Sequence, residues 1–452
     1  MRRLATILLW LTICAGGYFG GRAAFLAQPP IGEEGIFADL FYSRPAGPAY
    51  LLLGRIDGRE IREPFNHPAP PYELLSALGG VARAVFGLQS FQEWTWIFVA
   101  RLAFAGFLFV VLFLLGLAVL TAPQQEKRPL LLALILAAGL SPLAVSSSIN
   151  LYLDGSVGAL AAGLFALAVG LEIRGRGGER ARRLLVGLAA FGVGLGKQEW
   201  SLALLGAAAA TALFWFAVFR TKMPRAALLL VAVAGCVGGN LVSYGFDPVN
   251  YLGHLTFYQN ADQLPWSGLH PGRVLLRRLS MLLAPLFLAV LGGWFAARRR
   301  TPAALFGTFF AVFLLAGFLP NLATVGFAFR YFAPALAALI VVVPLLAPEK
   351  PGRGQQALLA LGVVIFAVQF AFFRQAAVEQ HLSVTDGFGL PVAAYYPQKA
   401  AMVAAARARG CVPILPAWVK FQFPETDFVI PSIDAAAAER LISEHGKTLC
   451  RD

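Results

Sequence analysis

Residues 4–35 read LATILLWLTICAGGYFGGRAAFLAQPPIGEEG, an apolar run, then Pro29-Pro30, then the acidic pair of Ile31-Gly32-Glu33-Glu34-Gly35. A run of about 20 apolar residues crosses the hydrocarbon core of a bilayer as a helix. Carboxylates are costly to hold near lipid, so a pair at the mouth of a first span is a functional candidate. The bland alternative is that the pair marks the water interface.

The apolar pattern recurs along all 452 residues, of which 58% are hydrophobic and 13% charged. Mean hydropathy is +0.69. Such a composition excludes a soluble globular protein and predicts an all-α polytopic membrane protein. Apolar runs predict about eleven transmembrane helices, at roughly 4–27, 95–120, 130–149, 155–172, 184–197, 199–219, 226–243, 274–297, 303–319, 331–347 and 356–374. The run at 184–197 is short for a span, which leaves the boundaries around it loosest.

Basic residues set the orientation. Arg2/Arg3, Lys127/Arg128, Arg174 to Arg183, Arg220/Lys222/Arg225, Arg298 to Arg300 and Lys350/Arg353 all fall on one side if the spans alternate. The positive-inside rule predicts that this side is cytoplasmic, with the N-terminus inside and the C-terminus extracytoplasmic. The net charge of +13 is mainly this signal, so nucleic acid is not expected as a partner. Read alone, Met1-Arg2-Arg3 and the first run imitate a signal peptide, but the run is long for one and an uncleaved span keeps the alternation in register.

A transmembrane domain is therefore expected over 1–374, with a first outside loop at 28–94 and another at 244–273. A small extracytoplasmic C-terminal region follows at 375–452. The first loop carries a charged middle, Arg55 to Glu63, and the turn Asn66-His67-Pro68-Ala69-Pro70-Pro71. From Tyr72 to Phe86, apolar residues recur at helical spacing, which predicts a helix lying on the membrane surface. The C-terminal region mixes short β-like runs (Cys411 to Leu415, Phe428 to Ile430) with a helical stretch, Asp434 to Glu444. Cys14 and Cys236 fall inside spans as packing residues. Cys411 and Cys450 share an oxidising compartment, where a disulfide is permitted.

The order of these features resembles the GT-C superfamily of integral membrane glycosyltransferases, in particular its protein mannosyltransferase and aminoarabinose transferase branches. The resemblance rests on Glu33-Glu34-Gly35 after span one, and on Asn66-His67-Pro68-Ala69-Pro70-Pro71-Tyr72 before a helix ending Phe86-Gly87. Arg101-Leu102 opens the second span. Leu153-Asp154 begins a later one, and Gly194-Leu195-Gly196-Lys197 forms the next hairpin. Arg330-Tyr331-Phe332-Ala333-Pro334 is similar to the family's Arg-Tyr-x-x-Pro signature. Together these pieces cover residues 1 to about 345. Glutamate stands at Glu33 where the family has aspartate, Ala69 interrupts the paired prolines, and the tail beyond Arg374 matches nothing in the pattern.

The resemblance implies transfer of a sugar from a polyprenyl phosphate donor to an extracytoplasmic lipid, glycan or protein, in a bacterial inner membrane. Such transfer needs a base, for which Glu33 or Glu34 would serve, and cations for the departing phosphate. Arg330 suits phosphate because its guanidinium can grip two oxygens, and Lys197 is the second cation. Either could instead be structural, Arg330 as a snorkelling helix-end residue and Lys197 paired with Glu199. His67, Asp154, His254 and Tyr331 complete the candidate substrate-binding set. No cofactor is required; a divalent metal is possible, since His67, Asp154, His254 and the glutamates are suitable ligands. The plainer readings are a turn residue for His67 and a helix cap for Asp154. Two rival functions remain open: a catalytically inactive GT-C-like scaffold, and a lipid or solute transporter. A transporter would place charges at mid-membrane and break helices in two related halves.

Overall fold

Backbone polar groups have no water to bond inside a bilayer, so an apolar chain crosses it as helices that satisfy their own N–H and C=O groups. The computed structural model follows this rule. It describes residues 2–26, 50–64, 69–86, 95–121, 128–148, 154–175, 178–221, 223–224, 226–243, 271–317, 319, 329–386, 392–415, 419–430 and 435–450. Five helices are long and apolar enough to span: Phe98–Leu120, Gly155–Ile173, Gln198–Phe219, Leu279–Arg299 and Arg353–Ala371. Shorter apolar helices run over Leu4–Gly20, Pro129–Gly139, Ala227–Ser243, Pro302–Gly317 and Ala333–Leu346. The short run near 184–197 belongs to a helix that begins earlier, at Glu179, and ends at Gly194. The protein is a multi-pass membrane protein.

Two runs drawn as single spans are broken. The first helix stops at Gly20, and a one-turn helix, Ala23–Leu26, follows. The run at 130–149 divides into Arg128–Gly139 and Pro142–Ser148. Ser141 Oγ accepts from the Ala144 amide at 3.3 Å and Pro142 opens the second piece, a capped restart readable from Ser-Pro itself.

The chain divides into two units. The first comprises Met1–Ala23 and Phe104–Val378. At its centre runs Ala333–Leu346, buried at every residue. A helix apolar on all sides is expected to be surrounded by others. Glu179–Gly194 and Ala227–Ser243 pack so closely that their backbones touch. A Cβ on Gly235 would lie 2.3 Å from the Gly187 carbonyl oxygen, and one on Gly239 2.3 Å from that of Phe191. Small residues allow this approach where lipid supplies no hydrophobic drive between helices.

Basic residues cluster at one end of this unit, and some of them terminate the central helix. Arg174 donates to the carbonyls of Leu345 (2.9 Å), Pro344 (3.2 Å) and Ala347 (3.0 Å). Arg299 donates to Leu346 (2.9 Å) and Ala347 (3.1 Å). Both satisfy carbonyls a helix C-terminus leaves open, at the end its dipole makes negative. Nearby, Arg182 and the buried Glu172 pair at 2.6 Å.

The second unit comprises Ala24–Ala103 and Glu379–Asp452. It holds a three-stranded antiparallel sheet in the order β2-β1-β3, with β1 at Tyr50–Ile56, β2 at Arg59–Pro64 and β3 at Phe428–Val429. Asp57 (φ 52°) and Gly58 (φ 73°) form the two-residue turn between β1 and β2, as a type I′ hairpin requires. Gly54 lets β3 approach, since a Cβ there would lie 2.4 Å from the Phe428 carbonyl oxygen. Thus the charged middle of the first loop and the C-terminal tail share one sheet. Ile56, Val412, Val429, Ala438 and Ile442 form its core. The helix Ala435–Ser443 lies within the stretch expected to be helical, Asp434 to Glu444. Cys411 and Cys450 are joined by a disulfide. Where helical spacing predicts a helix, one is present at Ala69–Phe86, with Leu74, Val81 and Val85 exposed.

Candidate functional site

Opposite the basic end, four segments of the first unit come together: Pro142–Ser148, the π-helical turn Asp154–Gly158, residues 195–200, and the 3-10 turn Phe329–Phe332 that leads into the central helix. Trp200 is the buried wedge between them. A Cβ on Gly158 would lie 2.5 Å from the Trp200 ring and 2.9 Å from Pro334. On the other flank, one on Gly155 would lie 1.9 Å from the Ser147 carbonyl oxygen. Glycine is required at both positions because no side chain fits.

Lys197 is the N-cap of the 17-residue helix Gln198–Phe214, with extended backbone and no side-chain capping bond. Its ammonium turns to Tyr331 instead, with Nζ 5.9 Å from the ring centroid. The ring face attracts a cation, and the helix N-terminus adds the positive end of its dipole. A lysine at a helix start is suited to an anionic group. Directly behind it, Gln198 is 1% exposed and neither amide atom has a hydrogen-bond partner among the described residues. The Ser201 hydroxyl and the Trp200 indole N–H are likewise buried without a partner among the described residues. Orphaned buried polar atoms are rare in folded proteins and call for a ligand or water.

The structure therefore brings Lys197 and Tyr331 together, with the backbone of Asp154 and of Arg330 in the same cluster of segments. The side chains of Asp154 and Arg330 are not described. Glu33, Glu34, His67 and His254 lie outside the described residues. Among the described residues, no three His, Cys, Asp or Glu side chains gather at metal-binding distance.

One residue the sequence reading passes over is Arg22, inside the run at 4–27. It is 0% exposed. Its Nε donates to Ser148 Oγ (2.8 Å), and its terminal nitrogens to the carbonyls of Tyr18 (3.1 Å), Gly139 (2.8 Å) and Ala144 (3.1 Å). The guanidinium also lies 3.5 Å from the Tyr18 ring centroid. Arg22 thereby holds the broken helix at 139–148 in place beside the cluster. The signal was present in the sequence, because an arginine within an apolar run has a task by default.

The overall fold has a counterpart among solved structures. The crystal structure of ArnT from Cupriavidus metallidurans in the apo state matches over 99% of this chain and 90% of that one, with TM-score 0.55 and 14% identity. The two chains share an overall fold. Neither a protein-family model nor a curated protein matches the sequence, so the likeness is carried by three-dimensional arrangement. In this fold the sequence motifs around Asp154, Lys197 and Arg330-Tyr331 meet at one end of the helical unit, although they are far apart along the chain.

Proposed function

We propose that the protein is a glycosyltransferase that moves a sugar from a polyprenyl phosphate donor to an extracytoplasmic acceptor, with Glu33 or Glu34 as general base. The observation that carries this reading is the meeting of Lys197, Tyr331 and the Asp154 and Arg330 segments at one end of a GT-C fold. That end lies opposite the basic clusters, which the positive-inside rule assigns to the cytoplasm of a bacterial inner membrane.

In the proposed reaction the glutamate takes the proton from an acceptor hydroxyl or amine, and the freed lone pair attacks the anomeric carbon. The bond from that carbon to the phosphate oxygen breaks, and the polyprenyl phosphate leaves with the electron pair. Lys197 and Arg330 offset the charge that develops on the phosphate. Attack opposite the leaving group inverts the anomeric configuration. Tyr331 orients the lysine, and Asp154, His67 and His254 position the sugar or the acceptor. No resident cofactor is assigned a step.

The test is sugar transfer by the purified protein in nanodiscs with a panel of labelled polyprenyl phosphate sugars, with and without a chelator. Glu33→Gln and Glu34→Gln are assayed beside it. Transfer lost in one of the two variants, with the fold retained, is the expected result and names the base. Loss on chelation, restored by a divalent ion, would replace the metal-independent scheme. Failure to bind any lipid-linked sugar would overturn the transferase reading in favour of a scaffold or transporter.

A further inference from the structure

Within the second unit, a cavity of about 310 Å³ opens between the C-terminal end of the helix Val392–Arg409, the turn at 425–427 and the chain at 446–448. Its walls are tied together. Val412 N donates to Thr448 O at 2.9 Å, Cys450 N to Val412 O at 2.8 Å, and the Cys411–Cys450 disulfide joins the same two segments. A cavity so braced needs little ordering when a ligand enters.

Four charged side chains line it, and they differ in kind. Lys447 and Asp427 form an ion pair, and Lys447 reaches Asp57 as well, so these charges are internally satisfied. Arg407 and Glu425 are exposed, and neither has an ion-pair partner among the described residues. Arg407 is nonetheless oriented, because its terminal nitrogen donates at 2.7 Å to Oγ1 of the buried Thr426. The cavity therefore presents one held guanidinium and one carboxylate that pair neither with each other nor, among the described residues, with another charge.

We propose that this cavity binds a zwitterionic group of the phosphoethanolamine type, with its anionic oxygens on Arg407 and its ammonium on Glu425. Arginine takes phosphate oxygens through paired N–H bonds, and the carboxylate accepts from the ammonium. A ligand with only one of the charges leaves the other side chain unanswered, so discrimination comes from both ends. Such a group occurs on lipid head groups and on small soluble phosphodiesters. The inference that it belongs to the acceptor rests on the transfer reaction proposed above; the binding itself does not.

The experiment is binding without turnover, by calorimetry, on the full-length protein in phosphatidylglycerol nanodiscs. The soluble probes are glycerophosphoethanolamine, inorganic phosphate and ethanolamine. Parallel nanodiscs containing phosphatidylethanolamine distinguish a lipid source, which would compete with the soluble probe. The zwitterion is expected to bind about tenfold or more tightly than either single-charge probe, with Arg407→Gln and Glu425→Gln each losing about tenfold. Both substituted side chains are exposed, and an unchanged melting temperature with the disulfide intact confirms the fold. Phosphate binding as tightly as the zwitterion, or binding indifferent to both substitutions, or no saturable binding, would each overturn the proposal. Failure of sugar transfer with zwitterion binding retained would count only against the transferase reading.

Discussion

Lys197 Nζ lies 5.9 Å from the centroid of the Tyr331 ring, which joins two motifs from distant spans at the head of the central helix. The contact places a cation beside a helix start that has no side-chain cap. Of the candidate site residues, these two have described side chains in contact.

Removing the charge should therefore cost catalysis more than stability. Lys197→Met is expected to lower kcat/KM for the lipid-linked donor by about 10²-fold or more, as loss of one transition-state cation does. Tyr331→Leu should weaken transfer less, and a double-mutant cycle should give a coupling of about 0.5–2 kcal/mol, the range of a cation over a ring face. Wild-type kinetics in Lys197→Met would remove the lysine from the site.

Arg22 should act through structure. Arg22→Met takes the Arg22 donor from the Gly139 carbonyl, leaves the Ala144 carbonyl to its serine donors, and frees the segment at 142–148. Thermal unfolding in detergent should show a loss of about 2 kcal/mol or more, the cost of leaving a buried acceptor unpaired. An unchanged melting temperature would show that the guanidinium does not hold that segment.

The glycine contacts make a prediction with an internal control. Gly235→Leu and Gly239→Leu force apart two backbones that touch, at an expected cost of about 1–3 kcal/mol each. Gly238→Ala should be tolerated, because a Cβ there lies 3.7 Å from its nearest neighbour, an ordinary contact. If all three variants melt alike, the helix pair is not packed backbone to backbone.

The sheet should be most secure between two pH limits. The hydrogen bond from Lys447, aided by its charge and that of His445, holds the Asp57 carboxyl below its ordinary value. Hydrogen bonds to Asp427 and Asp57 hold Lys447 above its own. A lowered carboxyl pKa contributes stability above the unfolded value, lost as pH falls through the folded one; a raised lysine pKa contributes below the unfolded value, lost as pH rises through the folded one. Amide hydrogen exchange in β1 and β2 should thus slow between the ordinary carboxylate and lysine ranges. Asp57→Asn keeps the turn chemistry, since Asn suits the left-handed position, and should flatten the acid limb while only reducing the alkaline one, which Asp427 still supports. An unaltered acid limb would free Asp57 of that role.

Several elements were legible in the sequence, some of them unread. Asp57-Gly58 between LLLGRI and REIREP is a strong local hairpin signal, yet the charges of Arg55 to Glu63 suggest only a hydrophilic loop. The β-branched and apolar residues of β1 find their third strand in the C-terminal tail, which no local pattern announces. Ser141-Pro142 and Arg22 could have been read directly, as a helix restart and as a charge within an apolar run. The orphaned amide of Gln198 could not, because a glutamine after a hairpin is ordinary until its burial is known.

What the sequence determined by itself is the class of the protein. Transfer of apolar residues into lipid, and the bias of basic loops, depend on composition over short windows, so spans and the basic side are local properties. Which ends meet depends on shape instead. Trp200 seats against Gly158 and Pro334, and Lys197 reaches Tyr331, only because helices with touching backbones and a fully buried central helix leave one arrangement in which all of them pack. The tertiary structure therefore decided the site, and the pairing of the first loop with the tail, because side-chain fit between distant segments is not written in the hydropathy of either one.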